Sequence, residues 1–276
     1  MIKKCVLPVA GFGTRFLPVT KSIPKEMLPI LSKPLIEYAV TEAFEASVKN
    51  FCLIINEQKK SLQDYFRPNK LINSHIKGSE KEQLLSNINK IVRDSKFVFS
   101  CQTKMSGLGD AISYSREFVN NEPFAVILPD DLCYCENISV LSQMIAVFQQ
   151  YPEYSIIAVE EVKKEDLSKY GVISGKPLTT EENIFLVNDM IEKPSISEAP
   201  SNLAIIGRYI LQPEIFHELE LINADINGEK QLTDALLNLA RQHKVLAYKF
   251  SGKRLDCGTV GGFVDANIFF RNLSKK

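Results

Sequence analysis

Lys4-Cys-Val-Leu-Pro-Val-Ala-Gly-Phe-Gly-Thr-Arg15 joins an apolar run to a glycine-rich turn that ends on a guanidinium. The run, residues 4–9, reads as a buried first strand that Gly11-Phe12-Gly13 terminates. Behind Pro34, Leu35, Ile36, Ala39, Val40, Ala43 and Phe44 recur at helical spacing. A second strand follows at 51–55 and a short helix at 59–66. A polar insertion over 67–95 carries one amphipathic helix with Leu84, Leu85, Ile88, Ile91 and Val92 on its apolar face. Beyond it come a strand at 97–102, a helix at 108–118 and a fully apolar strand at 124–128 that stops at Pro129-Asp130-Asp131. A helix at 140–148 and a strand at 155–159 continue the alternation. The later chain is richer in strands, at 171–174, 184–191 and 203–211, before helices at 214–222 and 232–242, a strand at 245–250 and a last helix at 260–272. Buried strands alternating with helices predict an α/β chain with a mostly parallel mixed sheet covered by helices on both faces. Ligands of such sheets bind where strands end at their carboxyl side, here 10–15, 102–109 and 129–131.

Composition narrows the function. The chain has 276 residues, 45% hydrophobic and 24% charged, which is globular and long enough to bury a core without a disulfide or metal staple. Lys plus Arg and Asp plus Glu are both 33, so the net charge is zero and non-specific nucleic-acid binding is disfavoured. The longest apolar run is five residues, against the ~20 of a membrane helix, and Pro8 and Gly11 interrupt any signal-peptide stretch. The expectation is a soluble, cytoplasmic protein. The six cysteines form no C-x-x-C pair and lie near none of the three histidines, so they read as reduced, buried thiols rather than zinc ligands. One asymmetry stands out. Residues 1–35 hold Lys3, Lys4, Arg15, Lys21, Lys25 and Lys33 against a single acid, Glu26, which beside a glycine turn points to an anion site.

A glycine-rich turn after a first strand suits phosphate, because bare backbone N–H groups close around an anion. Two familiar versions fail: Phe16 stands where a dinucleotide fingerprint needs glycine, and no Gly-Lys-Ser/Thr occurs. Pro18, Pro24 and Pro29 are expected to keep the chain extended up to Pro34. The whole stretch from Pro8 to Pro29 resembles the signature G-x-G-T-R-x-x-P-x-T-x-x-x-P-K-x-M-x-P of the sugar-1-phosphate nucleotidylyltransferases. Ser106-Gly-Leu-Gly, Ile127-Leu-Pro-Asp, Tyr170-Gly-Val, Ile191-Glu-Lys-Pro, Asn202-Leu-Ala-Ile-Ile-Gly-Arg-Tyr, Gln231-Leu-Thr-Asp and Asp256-Cys-Gly follow in that family's order. They sharpen the resemblance to its bacterial UTP–glucose-1-phosphate uridylyltransferases.

The resemblance implies a Rossmann-like nucleotide-diphospho-sugar transferase fold in a single domain, 1–276. Residues 1–135 would mainly bind nucleotide and 136–276 mainly sugar phosphate. The activity implied is UTP plus α-D-glucose 1-phosphate giving UDP-glucose and pyrophosphate, by in-line attack on the α-phosphorus with Mg²⁺. The implied partners are small molecules, with neither nucleic acid nor membrane, and the assembly a homodimer or homotetramer. Ala10, Gly11, Phe12 and Gly13 would contact the nucleotide, Arg15 and Lys25 the triphosphate, and Gln102 and Gly107 the uracil edge. A side-chain amide carries both donor and acceptor, as a pyrimidine edge requires; without the resemblance Gln102 reads as a strand-end polar residue and Gly107 as a helix start. Asp130 and Asp256 would hold Mg²⁺, which prefers hard oxygen ligands. Gly171, Glu192 and Lys193 would bind the sugar phosphate, Lys193 acting with Arg15 and Lys25 in catalysis. Two alternatives remain open, a dTTP-dependent thymidylyltransferase and a non-catalytic sugar-nucleotide sensor. One departure is visible: Asp110 stands where the family usually has His, and an acid in a helix's first turn reads as a response to the helix dipole.

Overall fold

The computed structural model describes residues 1–178 and 183–274. β1 (Lys4–Pro8) runs into a loop made of short 3-10 turns at Thr14–Phe16, Val19–Lys21 and Lys25–Met27. The extended chain expected there is not what forms, because proline's fixed φ also suits the first positions of tight turns. A small ribbon of β2 (Pro29–Ile30) and β3 (Lys33–Pro34) leads into α1 (Leu35–Glu45), β4 (Asn50–Ile55) and α2 (Lys60–Tyr65). The polar insertion holds two helices, α3 (Lys70–Ile76) and α4 (Glu82–Asp94), rather than one. On α4, Ile88 and Ile91 are buried whereas Leu84 faces solvent. Next come β5 (Lys96–Cys101), α5 (Gly107–Ser113), α6 (Arg116–Val119) and β6 (Phe124–Ile127). The single helix expected at 108–118 is split where the buried Ser115 hydroxyl donates to the Ile112 carbonyl at 2.7 Å, a side-chain bond that competes with the helical ladder.

β7 (Asp131–Tyr134), α7 (Val140–Gln150), β8 (Ser155–Glu161), β9 (Gly171–Pro177), β10 (Ile184–Glu192) and β11 (Leu203–Leu211) follow. α8 (Ile215–Leu221), α9 (Leu232–Arg241), β12 (Val245–Lys249), β13 (Lys253–Asp256) and α10 (Val260–Leu273) complete the order. One nine-stranded sheet, β5-β4-β1-β6-β11-β8-β12-β10-β9, runs through the molecule. It is mixed. The block β5-β4-β1-β6 is parallel, as is β8–β12, while β11 and β10 run antiparallel to their neighbours. The parallel part is where helices separate consecutive strands; β9, β10 and β11 follow one another with no intervening helix among the described residues and turn back on the sheet.

Strand alternation sorts the core. Cys5 and Leu7 join a cluster with Ile36, Val40 and Met144 on one face, and Val6 joins Ile112, Leu219 and Leu236 on the other. A third cluster, with Leu132, Leu255 and Ala266, ties the antiparallel β7–β13 ribbon to α10. The cysteines are free thiols; Cys5, Cys52 and Cys257 are buried as expected, but Cys101 is exposed at the end of β5. Among the described residues no helix is long and apolar enough to cross a membrane.

Candidate active site

Three parallel strands deliver their ends to one place. The Val9 N–H donates to Ile54 O at 2.9 Å, the Gln102 N–H to Ile55 O at 2.8 Å, and Asn56 Nδ2 to Ala10 O at 2.6 Å. The loop after β1 is therefore pinned beside Gln102. Gly13 has φ +66°, the left-handed region that glycine adopts without strain, and its carbonyl accepts from the Thr20 hydroxyl at 2.9 Å. Gly11 and Phe12 remain exposed, and a Cβ at Gly11 would meet nothing within 4 Å. Gly107 has φ +93°, and a Cβ there would come within 2.7 Å of Lys230 O, so the turn into α5 accepts only glycine against the 229–230 segment.

The charged centre lies where β6 ends. Lys25 Nζ is 2.5 Å from Asp130 Oδ2. Burial acts to raise the Asp130 carboxyl, but the Lys25 ammonium outweighs it and leaves Asp130 below the usual carboxylate range. Burial acts to lower Lys25, and the Asp130 and Glu26 carboxylates together outweigh it, so the lysine is held above its ordinary value. Each partner keeps the other charged. Asp130 O accepts from the Cys257 N–H at 2.7 Å, and Asp256 Oδ1 accepts from the Gly258 N–H at 2.9 Å, so the end of β13 folds onto the end of β6. A Cβ on Gly258 would meet Asp256 Oδ1 at 3.0 Å, Asp130 Oδ2 at 3.4 Å and Arg15 Nη1 at 3.5 Å. Arg15, Asp130 and Asp256 thus converge on one glycine.

Glu192 ends β10 and Lys193 follows it. Thr233 Oγ1 donates to Glu192 Oε2 at 2.6 Å, and Gly171 leaves room for both, since a Cβ there would stand 3.1 Å from each oxygen. Lys193 has φ +47°, strained for a residue with a side chain, and its N–H donates to Tyr170 O at 3.0 Å. The side chain is more than half exposed, with Nζ 3.6 Å from Glu192 Oε1. A cavity of about 510 Å³ is lined by Arg15, Asp130, Asp256, Gly171, Glu192 and Lys193 together with Thr233 and Gln231. Lys25, Gln102, Gly107 and residues 10–13 do not line it, although Leu108 does.

Several supporting residues escaped the sequence reading. Arg208 is 1% exposed; its guanidinium pairs with Glu42 at 2.8 Å and donates to Asp131 O at 2.7 Å and Leu128 O at 3.2 Å, clamping the turn that carries Asp130. A lone arginine inside the apolar strand 203–211 was the available signal. Arg254 pairs with Asp131 at 2.7 Å and donates to the Tyr170 hydroxyl at 2.8 Å. Asp131 also accepts from the Gly207 N–H at 2.9 Å, so it is a partly buried strut between β7, β11 and β13. Asp110 is not simply a response to the helix dipole, because Gln102 Nε2 donates to its Oδ2 at 2.7 Å.

Among the described residues no group of three or more His, Cys, Asp or Glu is arranged to hold a metal. Two convergent carboxylates with room for phosphate oxygens and water nonetheless match the chemistry of a hard divalent cation that keeps part of its hydration.

The sequence pattern of the nucleotidyl transferase family matches residues 4–272. The chain belongs to that family. A UTP–glucose-1-phosphate uridylyltransferase of Pseudomonas aeruginosa is 48% identical over 277 residues, covering 100% of this chain and 98% of its own length. A UDP-glucose pyrophosphorylase solved in complex with UDP-glucose is 48% identical, covers 99% of both chains and superposes with a TM-score of 0.92. A UTP-bound enzyme of Acinetobacter baumannii is 36% identical, with a TM-score of 0.88 over 98% of this chain and 93% of that one. The mixed sheet and its covering helices are those of a nucleotidyl transferase.

Proposed function

We propose that this nucleotidyl transferase moves the uridylyl group of UTP to α-D-glucose 1-phosphate, releasing pyrophosphate and forming UDP-glucose. The observation that carries the reading is the cavity uniting Arg15, Asp130 and Asp256 with Gly171, Glu192 and Lys193, in a chain so similar over its full length to enzymes named for this reaction. Residues 1–135 supply mainly the nucleotide side and 136–276 mainly the sugar-phosphate side.

The sugar phosphate, with a second pKa of ~6, is largely a dianion at neutral pH and needs no general base. That suits a cavity lined by no histidine. The obstacle is electrostatic: like unit charges ~4 Å apart repel by ~4 kcal/mol at an effective dielectric of ~20. Arg15 and Lys25 face the triphosphate and stabilise the charge that grows on departing pyrophosphate. Lys193 receives the incoming sugar phosphate, and Glu192, oriented by Thr233, accepts from glucose hydroxyls. Asp130 and Asp256 are the residues that would hold Mg²⁺, which when bound neutralises phosphate charge. Catalysis is then positioning plus charge stabilisation.

Gly11–Gly13 and the carbonyl-side end of β5 form the nucleotide wall, with Gln102 and the Gly107 N–H at the uracil edge. A homodimer or homotetramer in the cytoplasm completes the reading; a second copy would cover the apolar stripe Val260, Val264 and Ile268, spaced one helical turn apart and each 44–54% exposed. The decisive test is a pyrophosphate-release assay crossing the four NTPs and dTTP with glucose and galactose 1-phosphates. Release with UTP and glucose 1-phosphate is expected to dominate; faster release with dTTP would replace the reading with a thymidylyltransferase, and nucleotide binding without release would make the chain a sensor.

A further inference from the structure

Gln102 is 3% exposed, and its backbone N–H is fixed to the end of β4. Its side-chain amide has one free choice, which end faces the nucleotide. The Nε2 end donates to Asp110 Oδ2 at 2.7 Å, and Oε1 accepts no hydrogen bond from any described residue and is not among the buried polar atoms left without a partner. A carboxylate accepts but does not donate, so Asp110 binds the amide nitrogen and turns the oxygen outward. The N–H of Gly107 opens α5 and has no intrahelical partner. On the proposed reading, Gln102 Oε1 and the Gly107 N–H are the acceptor and the donor that meet the base. Uracil presents N3–H beside the O4 carbonyl, which matches; cytosine presents a bare N3 beside an amino group, which opposes both.

We infer that Asp110 is a positioning residue for base choice: by holding the Gln102 amide in one orientation it makes the site an acceptor at the pyrimidine N3 position and excludes cytosine nucleotides. The inference rests on the reading of Gln102 as the uracil-edge residue. Turning the amide over would present Nε2, a donor that accommodates the cytosine N3 lone pair. Any residue at 110 that both donates and accepts permits that turn.

The test compares wild type, Asp110→Asn, Asp110→Ser and Gln102→Ala in kcat/KM for UTP and for CTP, with nucleotide affinities from calorimetry. Asp110→Asn is nearly isosteric and Asp110→Ser is smaller, so one of the two keeps the fold. Each is expected to lower the UTP-to-CTP ratio roughly five- to tenfold, the scale of one neutral hydrogen bond turned from favourable to absent. The shift should come from KM and from the calorimetric affinities rather than from kcat. An unchanged ratio in both Asp110 variants, with Gln102→Ala changing it, overturns the role of Asp110 alone. An unchanged ratio in Gln102→Ala as well removes the base reading beneath it. Equal losses on both nucleotides with a lowered Tm would mark Asp110 as structural and also overturn the inference.

Discussion

At the residue scale, Lys25 and Lys193 carry the same charge in opposite settings. Lys25 is half-buried against Asp130 and held protonated by it, whereas Lys193 is exposed on a strained turn. A charge that acts mainly in the transition state shows in kcat, and one that acts equally in the ground state shows in KM. Lys25→Ala is expected to lower kcat roughly 10²–10³-fold, the scale of one preorganised charge-stabilising donor. Lys193→Ala should chiefly raise KM for glucose 1-phosphate. Steady-state kinetics with each substrate varied in turn checks both; a Lys193 effect confined to KM for UTP would reverse the assignment. The pH profile follows from the same pair. Asp130 is depressed, so its contribution to stability is present above the unfolded carboxylate value and is lost only as pH falls through the lower folded one. Lys25 is raised, so its contribution is present below the unfolded lysine value and is lost as pH climbs through the higher folded one. The ion pair thus stays intact between about pH 5 and 9. The acid limb of kcat/KM is expected near pH ~6, from protonation of the sugar phosphate. It should move down with a 2-fluoro sugar phosphate, whose second ionisation is more acidic; a limb that stays put would belong to the protein.

At the element scale, the turn between β6 and β7 is held by β11. Arg208 reaches from that strand to Glu42 of α1 and to the carbonyls of Leu128 and Asp131. Removing one partner of a buried pair leaves the other charge uncompensated and costs about 3–5 kcal/mol. Arg208→Met is therefore expected to lower Tm by on the order of 10 °C, measured by calorimetry. Glu42→Met combined with Arg208→Met should recover part of that loss, since no charge is then stranded. A double variant no more stable than the single would locate the cost in the lost carbonyl bonds instead. The split of the expected 108–118 helix belongs at this scale too. Its apolar spacing was readable, but the Ser115 back-bond that ends α5 is set by packing and not by spacing.

At the scale of the whole molecule, the site is closed by chain ends far apart in sequence: Arg15 reaches the carbonyl of Gly258, 243 positions away. A ligand that binds only this assembled state stabilises it by about 2.7 kcal/mol at a concentration of 100 Kd. UTP with Mg²⁺ is expected to raise Tm by roughly 5–10 °C. Asp130→Asn or Asp256→Asn should abolish the metal-dependent part of that rise. Asp256→Asn should leave the unliganded Tm close to wild type, whereas Asp130→Asn also lowers it by stranding Lys25. A full metal-dependent shift in either variant would sink the paired-carboxylate assignment. The sequence by itself determined the strand–glycine-turn opening, the buried strands, and the motif residues whose order marks the family, because periodicity and short-range turn chemistry are local properties. It did not determine the sheet's antiparallel neighbours, the second helix of the insertion, or the β13 strand that brings Asp256 back to Asp130. Nor did it show that Asp110 grips Gln102, that Thr233 orients Glu192, or that Arg208 clamps the Asp130 turn. Those contacts join residues brought together only by the folded sheet, and hydrogen bonds and ion pairs at 2.5–3.2 Å have no periodicity for a linear reading to find.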